Sequence, residues 1–213
     1  MLPTEPEGYI SIIASNFVFP IASLFKVLDR DNSNAPNEVQ ASPFENGYSL
    51  AIATLTVLMV ESAISRTQYI MKNVPPQRPL EFVKQHFEDK LFQRVEEIFV
   101  LRDTIAHNHV WEARFFWDEH GKMKLVDAQL VEGYGDKKYG NTVEYTKRKT
   151  KILDLNVFPN RICRSDAVTV LKTAFDFLTA MEKQDNNYFN VTALVVKYKG
   201  YAIPFSKFVS EIT

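Results

Sequence analysis

The sequence predicts a mainly helical domain with an antiparallel β-meander inserted before its last long helix. Two long segments with apolar residues at helical spacing precede the meander, at 42–73 and 79–107, and a third follows it at 165–183. Between them, residues 110–158 show the strand-like runs and turn residues that are typical of antiparallel strands. On length alone the chain falls between one domain and two, and we interpret residues 1–213 as a single domain with an insertion.

Composition limits the classes of protein to which the chain can belong. The formal net charge of −1 gives no bulk attraction for nucleic acids, so any such binding requires a local patch. Cys163 is the only cysteine, which excludes an intramolecular disulfide and a cysteine-rich zinc site and favours a reducing, cytoplasmic location. The apolar segment 10–27 contains Asn16, Pro20 and Lys26 and has no basic lead-in. We expect a core helix there rather than a signal sequence or a membrane span.

The first two helices are separated by a polar connection. A helix is predicted from Ser11 to roughly Asp29, and the connection, rich in Asn, Asp and Pro, covers 30–40. The second helix has a clear start signal, with Ser42 at the N-cap, Pro43 at the first helical position and Glu45 at the third. Both hydrogen bonds of a capping box are therefore available.

Glu61 interrupts the apolar middle of the second helix, which covers 50–60. Val57 and Ile64, four residues before it and three after, are apolar, so an unpaired carboxylate on this face would be costly. Two interpretations remain open: Glu61 pairs with Arg102 from a neighbouring helix and holds its guanidinium in place, or it is simply solvated.

The next helical pattern runs from Pro79 to about His107, with one expected break. Its inward stripe is formed by apolar residues at helical spacing: Leu91, Val95, Ile98, Leu101 and Ile105. At roughly 100° per residue, Asp103 lies about 200° from Leu101, and His107 lies about 200° from Ile105. These polar residues are predicted to face away from the main core.

Three strands are predicted in the insertion, with turn-like segments at 118–121 and 133–140 between them. They are Glu112–Trp117, Lys122–Val131 and Thr142–Val157. Ser165 is expected to cap the last core helix. That helix has an apolar stripe at Val168, Leu171, Phe175, Leu178 and Met181. Residues 188–213 are interpreted as a C-terminal extension with a further strand at Val191–Tyr198.

The residues best suited to chemistry lie at the end of the helix that precedes the strands. Asp103 and His107 are four apart, so the carboxylate can hydrogen-bond an imidazole nitrogen and orient the ring. Arg102 is about 140° from His107 around the helix. Arg102 can therefore reach the group on which His107 acts in one of two ways: through the length of its own side chain, or from a second copy of the helix. The second option predicts a composite site in a dimer.

Histidine beside arginine, without acidic metal ligands, suits phosphoryl chemistry on RNA. His107 can take a proton from a 2′-hydroxyl or give one to the leaving oxygen, while Arg102 offsets charge on the phosphate. Asn108 and His109 follow directly and are expected to support the site, although for His109 the start of the first strand is the favoured alternative.

This stretch, Arg102-Asp103-Thr104-Ile105-Ala106-His107, resembles the signature of the HEPN superfamily: an arginine, a polar residue and a histidine four to six residues after the arginine. The resemblance implies a four-helix bundle core and a homodimer that brings two motifs together. It also implies metal-independent endoribonuclease activity in a toxin or defence system, without a cofactor and with a neutralising protein partner. His109 stands where some HEPN toxins carry a tyrosine, so nucleotidylation of that tyrosine does not carry over.

Two alternatives accompany this interpretation. The same residues fit a non-catalytic binding or regulatory module that dimerises through this helix. His107 and His109 also fit a metal hydrolase, but no third ligand has convincing spacing.

Positive charge is concentrated in and after the second predicted turn, where Lys137 and Lys138 lie. Within this region we predict that three lysines bind RNA: Lys147, Lys149 and Lys151. The alternative for these lysines is a solvated strand edge.

Overall fold

The computed structural model describes residues 14–30, 39–71, 75–107, 111–131, 137–185 and 188–212. Its helices are α1 Val18–Leu28, α2 Pro43–Ile70, α3 Pro79–His86, α4 Asp89–His107, α5 Lys137–Thr142, α6 Arg164–Gln184 and α7 Phe205–Glu211. Its strands are β1 Trp111–Trp117, β2 Met123–Leu130, β3 Val143–Glu144, β4 Lys149–Thr150, β5 Val195–Tyr198 and β6 Tyr201–Pro204. The mainly helical class is confirmed.

Helix α2 is the centre of the core and packs against α1, α4 and α6. Its buried apolar residues fall on most of its faces, as the continuous apolar middle predicts: Ile52, Ala53, Val57, Met59, Val60, Ala63 and Ile64. By length and hydropathy alone α2 is long and apolar enough to cross a membrane, but 50% of its most apolar window is buried inside the protein. This burial is the pattern of a core helix.

The start of α2 forms one of the two predicted capping bonds. The backbone N–H of Glu45 donates to the Ser42 hydroxyl at 3.1 Å. The Glu45 carboxylate does not return to Ser42. Instead it accepts the backbone N–H of Arg164 at 2.9 Å, because the first turn of α6 offers donors that have no partner within their own helix. The side chain thus joins the starts of two core helices.

The predicted helix 79–107 is broken once, at Phe87 and Glu88, into α3 and α4. The inward stripe of α4 is confirmed by the burial of Val95, Ile98 and Leu101. A second face of α4 is also buried, through Glu97, Val100 and Thr104, because the insertion packs against it. The predicted helix start at Ser11 and most of the connection 30–40 lie outside the described residues.

The first two strands of the insertion form the predicted antiparallel hairpin. Trp111 pairs with Leu130 and Trp117 with Met123, with a bulge between Arg114 and Phe115.

The predicted third strand, Thr142–Val157, is wrong. Helix α5 occupies part of the predicted turn, and the short strands β3 and β4 form a separate two-stranded sheet. Arg148 and Asp154 take positive φ angles of 56° and 57°, which reverse the chain where a strand would continue. The described insertion is therefore two small hairpins and a helix rather than one meander.

The insertion is attached to α4 by a small core of its own. Its buried residues are Val100, Tyr139, Val143 and Val157, with Trp111 packed at the edge. Glu97, 1% exposed, fixes the turn after β4 by accepting the backbone N–H groups of Ile152 at 2.8 Å and Leu153 at 2.7 Å.

Helix α6 begins at Arg164, one residue before the predicted cap Ser165. The N-cap is Cys163, whose backbone N–H donates to the Asp166 carboxylate at 2.8 Å. Asp166 also accepts from the Asn156 side chain, so a buried carboxylate, not a hydroxyl, organises this helix start. The predicted stripe of α6 is buried except for half-buried Phe175.

The described residues of the predicted C-terminal extension pack into the main core. Strand β5 occupies the second half of the predicted strand and pairs with β6. Helix α7 then buries Phe205, Phe208 and Val209. The Phe208 ring lies 5.9 Å from the Phe25 ring and 4.9 Å from the Tyr198 ring. The C-terminal residues thus pack against α1 in the main core.

Candidate functional site

The centre of the candidate site is an ion pair between two packed helices. Nη2 of Arg102 on α4 donates to Oε1 of Glu61 on α2. Both side chains are largely enclosed, with 20% and 23% of their surfaces exposed. The Arg102 guanidinium also lies 5.7 Å from the centre of the Phe99 ring. Of the two interpretations of Glu61, the paired one describes this structure.

Asp103 extends the pair into a chain of alternating charges. Its Oδ1 lies 3.3 Å from Nε of Arg102, and its Oδ2 accepts a hydrogen bond from Nζ of Lys138 at 2.5 Å. Lys138 is on α5, in the insertion. We refer to Glu61, Arg102, Asp103 and Lys138 as the four-charge network.

The pKa of Glu61 is raised above its usual value by this environment. Burial is the largest influence and raises the pKa, since it disfavours the charged carboxylate. Arg102 lowers it, Asp103 raises it and Lys138 lowers it, in decreasing order of influence. The desolvation of Glu61 therefore outweighs the attraction of its cationic partner.

His107 is the last residue of α4, and its backbone position is described while its side chain is not. At about 1.5 Å per residue, it follows Arg102 by about 7.5 Å along the helix axis. Asn108 and His109 lie outside the described residues. The predicted hydrogen bond between Asp103 and His107 stays a prediction, and the described partners of the Asp103 carboxylate are Arg102 and Lys138.

A cleft of about 490 Å³ opens beside the four-charge network, between α3 and α4. We call it the α3–α4 cleft. Its charged lining consists of Glu61, Arg78, Glu81, Lys84, Glu96, Arg102 and Lys138, and its apolar lining of Pro79, Leu80, Phe92 and Phe99. The 20% of the Arg102 side chain that remains exposed is therefore reached from a concave surface.

The three lysines predicted to bind RNA lie around the β3–β4 hairpin and not in the cleft lining. Lys147 pairs with Glu144 at 2.9 Å, Lys149 pairs with Asp154, and Lys151 donates to a backbone carbonyl at 2.5 Å. Each lysine thus has a local partner, which makes it less available to a phosphate. That these lysines bind RNA stays a prediction.

Lys138 is the lysine that the fold brings to the site. The sequence marks it as part of a positive run but gives no indication of its partner. Lys138 is 35 positions after Asp103 in the chain, so the distance between them depends on how the residues between them fold. No local signal specifies that path.

The network residues define no metal site. Among the residues that the structure describes, no group of three or more His, Cys, Asp or Glu side chains is placed to hold a metal ion. The alternative pair of His107 and His109 falls outside that search.

Comparison with protein-family models, with curated proteins and with solved structures finds no match to this chain. The resemblance to the HEPN superfamily therefore rests on the stretch from Arg102 to His107 and the helical setting of that stretch.

Proposed function

We propose that the protein is a metal-independent, HEPN-type endoribonuclease of a toxin or defence system. The observation that best supports this proposal is the geometry of Arg102. Its guanidinium is held by Glu61 from a neighbouring helix and borders the α3–α4 cleft, and Arg102 precedes His107 by about 1.4 turns of α4. A fixed cation at the edge of a cleft suits a phosphate whose negative charge increases during reaction.

In the proposed reaction, the 2′-hydroxyl of one nucleotide attacks the neighbouring phosphorus. His107 takes the 2′-hydroxyl proton as the new P–O2′ bond forms. The P–O5′ bond breaks, and a protonated histidine gives its proton to the departing O5′. The products are a 2′,3′-cyclic phosphate and a 5′-hydroxyl. DNA lacks the attacking hydroxyl and is spared.

Two copies of the motif complete this chemistry. Arg102 and His107 are separated by about 140° around α4, so one copy presents them to different sides of the helix. In a homodimer, the second copy supplies the histidine acid opposite the histidine base. Asp103 positions the site, and Lys138 in turn holds the Asp103 carboxylate. A neutralising protein partner in the cytoplasm would then block this composite site.

One observation favours a second candidate, a non-catalytic module that dimerises through α4. The charges of the four-charge network compensate one another, as they would in an ion network that only stabilises a helix junction. In that case Arg102 has no substrate, and changes at the site alter oligomeric state or ligand affinity without any effect on cleavage.

Cleavage of RNA by matched variants tests the proposal. The substrates are a labelled, mixed-sequence RNA and its DNA counterpart, incubated with purified protein in the presence of a chelator. The wild type is expected to cleave the RNA alone and to leave cyclic-phosphate ends. His107→Ala is expected to lose cleavage, whereas His120→Ala is a matched control, because the His120 side chain is 74% exposed in the β1–β2 turn.

The outcomes separate the two candidates. Cleavage by the wild type and the His120 variant, with loss in the His107 variant and an unchanged sedimentation profile, supports the nuclease. No cleavage by any protein, together with a change of oligomeric state in the Arg102→Ala variant, supports the non-catalytic module. Cleavage that the chelator abolishes would instead support the metal hydrolase, and sedimentation as a monomer at micromolar concentration would contradict the composite site.

A further inference from the structure

The α3–α4 cleft has a floor that is suited to a flat apolar group. Leu80 comes from the first turn of α3, and Phe92 and Phe99 come from one side of α4. Phe99 is 3% exposed and forms the base of the cleft, whereas Phe92 is only half-buried. Nζ of Lys84 lies 5.8 Å from the centre of the Phe92 ring. Because this lysine is exposed and flexible, it can move aside for a base that stacks on the ring.

The rim of the cleft has two cations, Arg78 and Lys84, for which the described residues supply no ion-pair partner. Arg78 and Lys84 are both exposed, and neither forms an ion pair with a residue that the structure describes. Glu81 is nearby, but its carboxylate faces the backbone N–H of Arg78 at 3.4 Å, where it caps α3. The other two cations of the lining, Arg102 and Lys138, already have carboxylate partners. An anion that enters the cleft therefore meets two cations, Arg78 and Lys84, that are not held in ion pairs by the described lining, which also contains the carboxylates of Glu81 and Glu96.

The cleft is continuous with the proposed reaction site. Phe92, Glu96, Phe99 and Arg102 follow one another at four, three and three residues, so they form one stripe along α4. This stripe spans about 15 Å from Phe92 to Arg102. A strand that places one phosphate at Arg102 and follows this stripe reaches the Phe92 ring, and Nζ of Lys84 lies 5.8 Å from the centre of that ring.

We propose that the α3–α4 cleft binds the nucleotide next to the cleaved phosphate of a single-stranded RNA. Its base stacks on Phe92, and its phosphate pairs with Arg78 and Lys84. The cleft itself specifies a ligand that combines an anion with a flat apolar group. The identification of this ligand as RNA rests on the proposed function. A base-paired strand does not fit, since its bases are already stacked and turned inward.

Binding of a short, fluorescein-labelled, single-stranded RNA tests the inference by anisotropy over a range of salt concentrations. All variants are made in the His107→Ala protein, so that the RNA stays intact. Arg78→Ala with Lys84→Ala is expected to weaken binding and to reduce the slope of log K against log salt by about 1.4, the value for two lost contacts to a single strand. The matched control is Lys26→Ala with Lys183→Ala, which removes two exposed lysines from other helices and is expected to leave the slope unchanged.

A second variant tests the stacking interaction. Phe92→Leu keeps the floor apolar but removes the ring, and it is expected to weaken binding of the same RNA about tenfold without changing the salt slope. Thermal unfolding of each variant establishes that the fold is kept. A duplex of the same sequence is expected to bind equally to the Phe92→Leu variant and to its parent.

The outcomes distinguish this inference from the proposed function. If the wild type cleaves RNA while the Arg78 and Lys84 variant binds with the same salt slope as its control, the cleft inference is overturned and the nuclease stands. If the cleft variants weaken RNA binding but no protein cleaves, the nuclease is overturned and the cleft stands as an RNA-binding site. If the protein binds no single-stranded RNA, the cleft inference is overturned.

Discussion

The guanidinium of Arg102 is paired with the carboxylate of Glu61, which is 41 residues earlier in the chain and on a different helix. This contact is not an efficient way to stabilise a fold, because the burial of Glu61 raises its pKa more than Arg102 lowers it. A desolvated pair of this kind at the edge of a cleft is typical of a site that keeps a charged group in one position. The relationship therefore leads to a prediction about pH as well as one about activity.

Glu61→Gln is expected to change how stability depends on pH. Because the pKa of Glu61 is higher in the folded protein than its usual value of 4.5, the folded state binds more protons than the unfolded state above that pH. The contribution of Glu61 to the free energy of unfolding therefore falls as pH rises from about 4.5 through the raised pKa. Denaturant unfolding at a series of pH values should show this fall in the wild type and its absence in the variant.

The control for this experiment is Glu119→Gln, whose side chain is 88% exposed. It is expected to follow the wild type at every pH. A wild type and Glu61 variant with parallel pH profiles would contradict the raised pKa. The Glu61 variant is also expected to cleave RNA about tenfold more slowly, since Arg102 loses the charge that fixes it; full activity in a folded variant would contradict the role of the pair.

The ion pair between Lys138 and Asp103 is expected to stabilise the protein more than a surface pair does. Both side chains are about four-fifths enclosed, whereas those of Lys147 and Glu144 are 64% and 40% exposed. A double-mutant cycle with Lys138→Met and Asp103→Asn should give a coupling energy of about 1 kcal/mol or more, and a similar cycle at Lys147 and Glu144 about 0–0.5 kcal/mol. Equal coupling energies would mean that α5 is not held to α4 by this pair.

The core helices were predictable because their periodicity is local. The burial of Val95, Ile98 and Leu101 follows from the spacing of apolar residues within a single helix, as does the buried middle of α2. The partner of Glu61 could not be predicted, because local periodicity carries no information about contacts between helices. A carboxylate on an apolar helix face requires a partner, but the sequence alone cannot say which residue of another helix supplies it.

The insertion was predicted less well because distant contacts decide its structure. Residues 142–157 have strand-like composition, but the chain turns after β4. The Glu97 carboxylate on α4 accepts the backbone N–H groups of this turn, which a neighbouring strand would otherwise bind. The same explanation applies to Lys138, whose position at the site depends on α5. Tertiary contacts override local strand propensity in both cases.

Glu97→Gln is expected to destabilise the protein by about 1–3 kcal/mol, because the neutral amide offers one acceptor oxygen where the carboxylate binds two backbone N–H groups. Hydrogen exchange should become faster at the amides of Ile152 and Leu153 before the rest of the protein unfolds. Glu119→Gln, whose side chain is 88% exposed, is the control and should cost less than about 0.5 kcal/mol. A Glu97 variant as stable as this control would show that the turn keeps its place without the carboxylate.

Phe208→Ala is expected to cost about 3–5 kcal/mol, the usual loss for a fully buried ring. Phe208 is 0% exposed and contacts the rings of Phe25, Tyr198 and Phe205, so its removal leaves a cavity where α7 meets α1. Phe19→Ala removes the same side chain from α1, but Phe19 is 53% exposed, and this control is expected to cost about 0.5 kcal/mol or less. Denaturant unfolding measures both losses. If the two variants lost the same stability, the C-terminal residues would not contribute to the main core, and the helical core would be stable without α7.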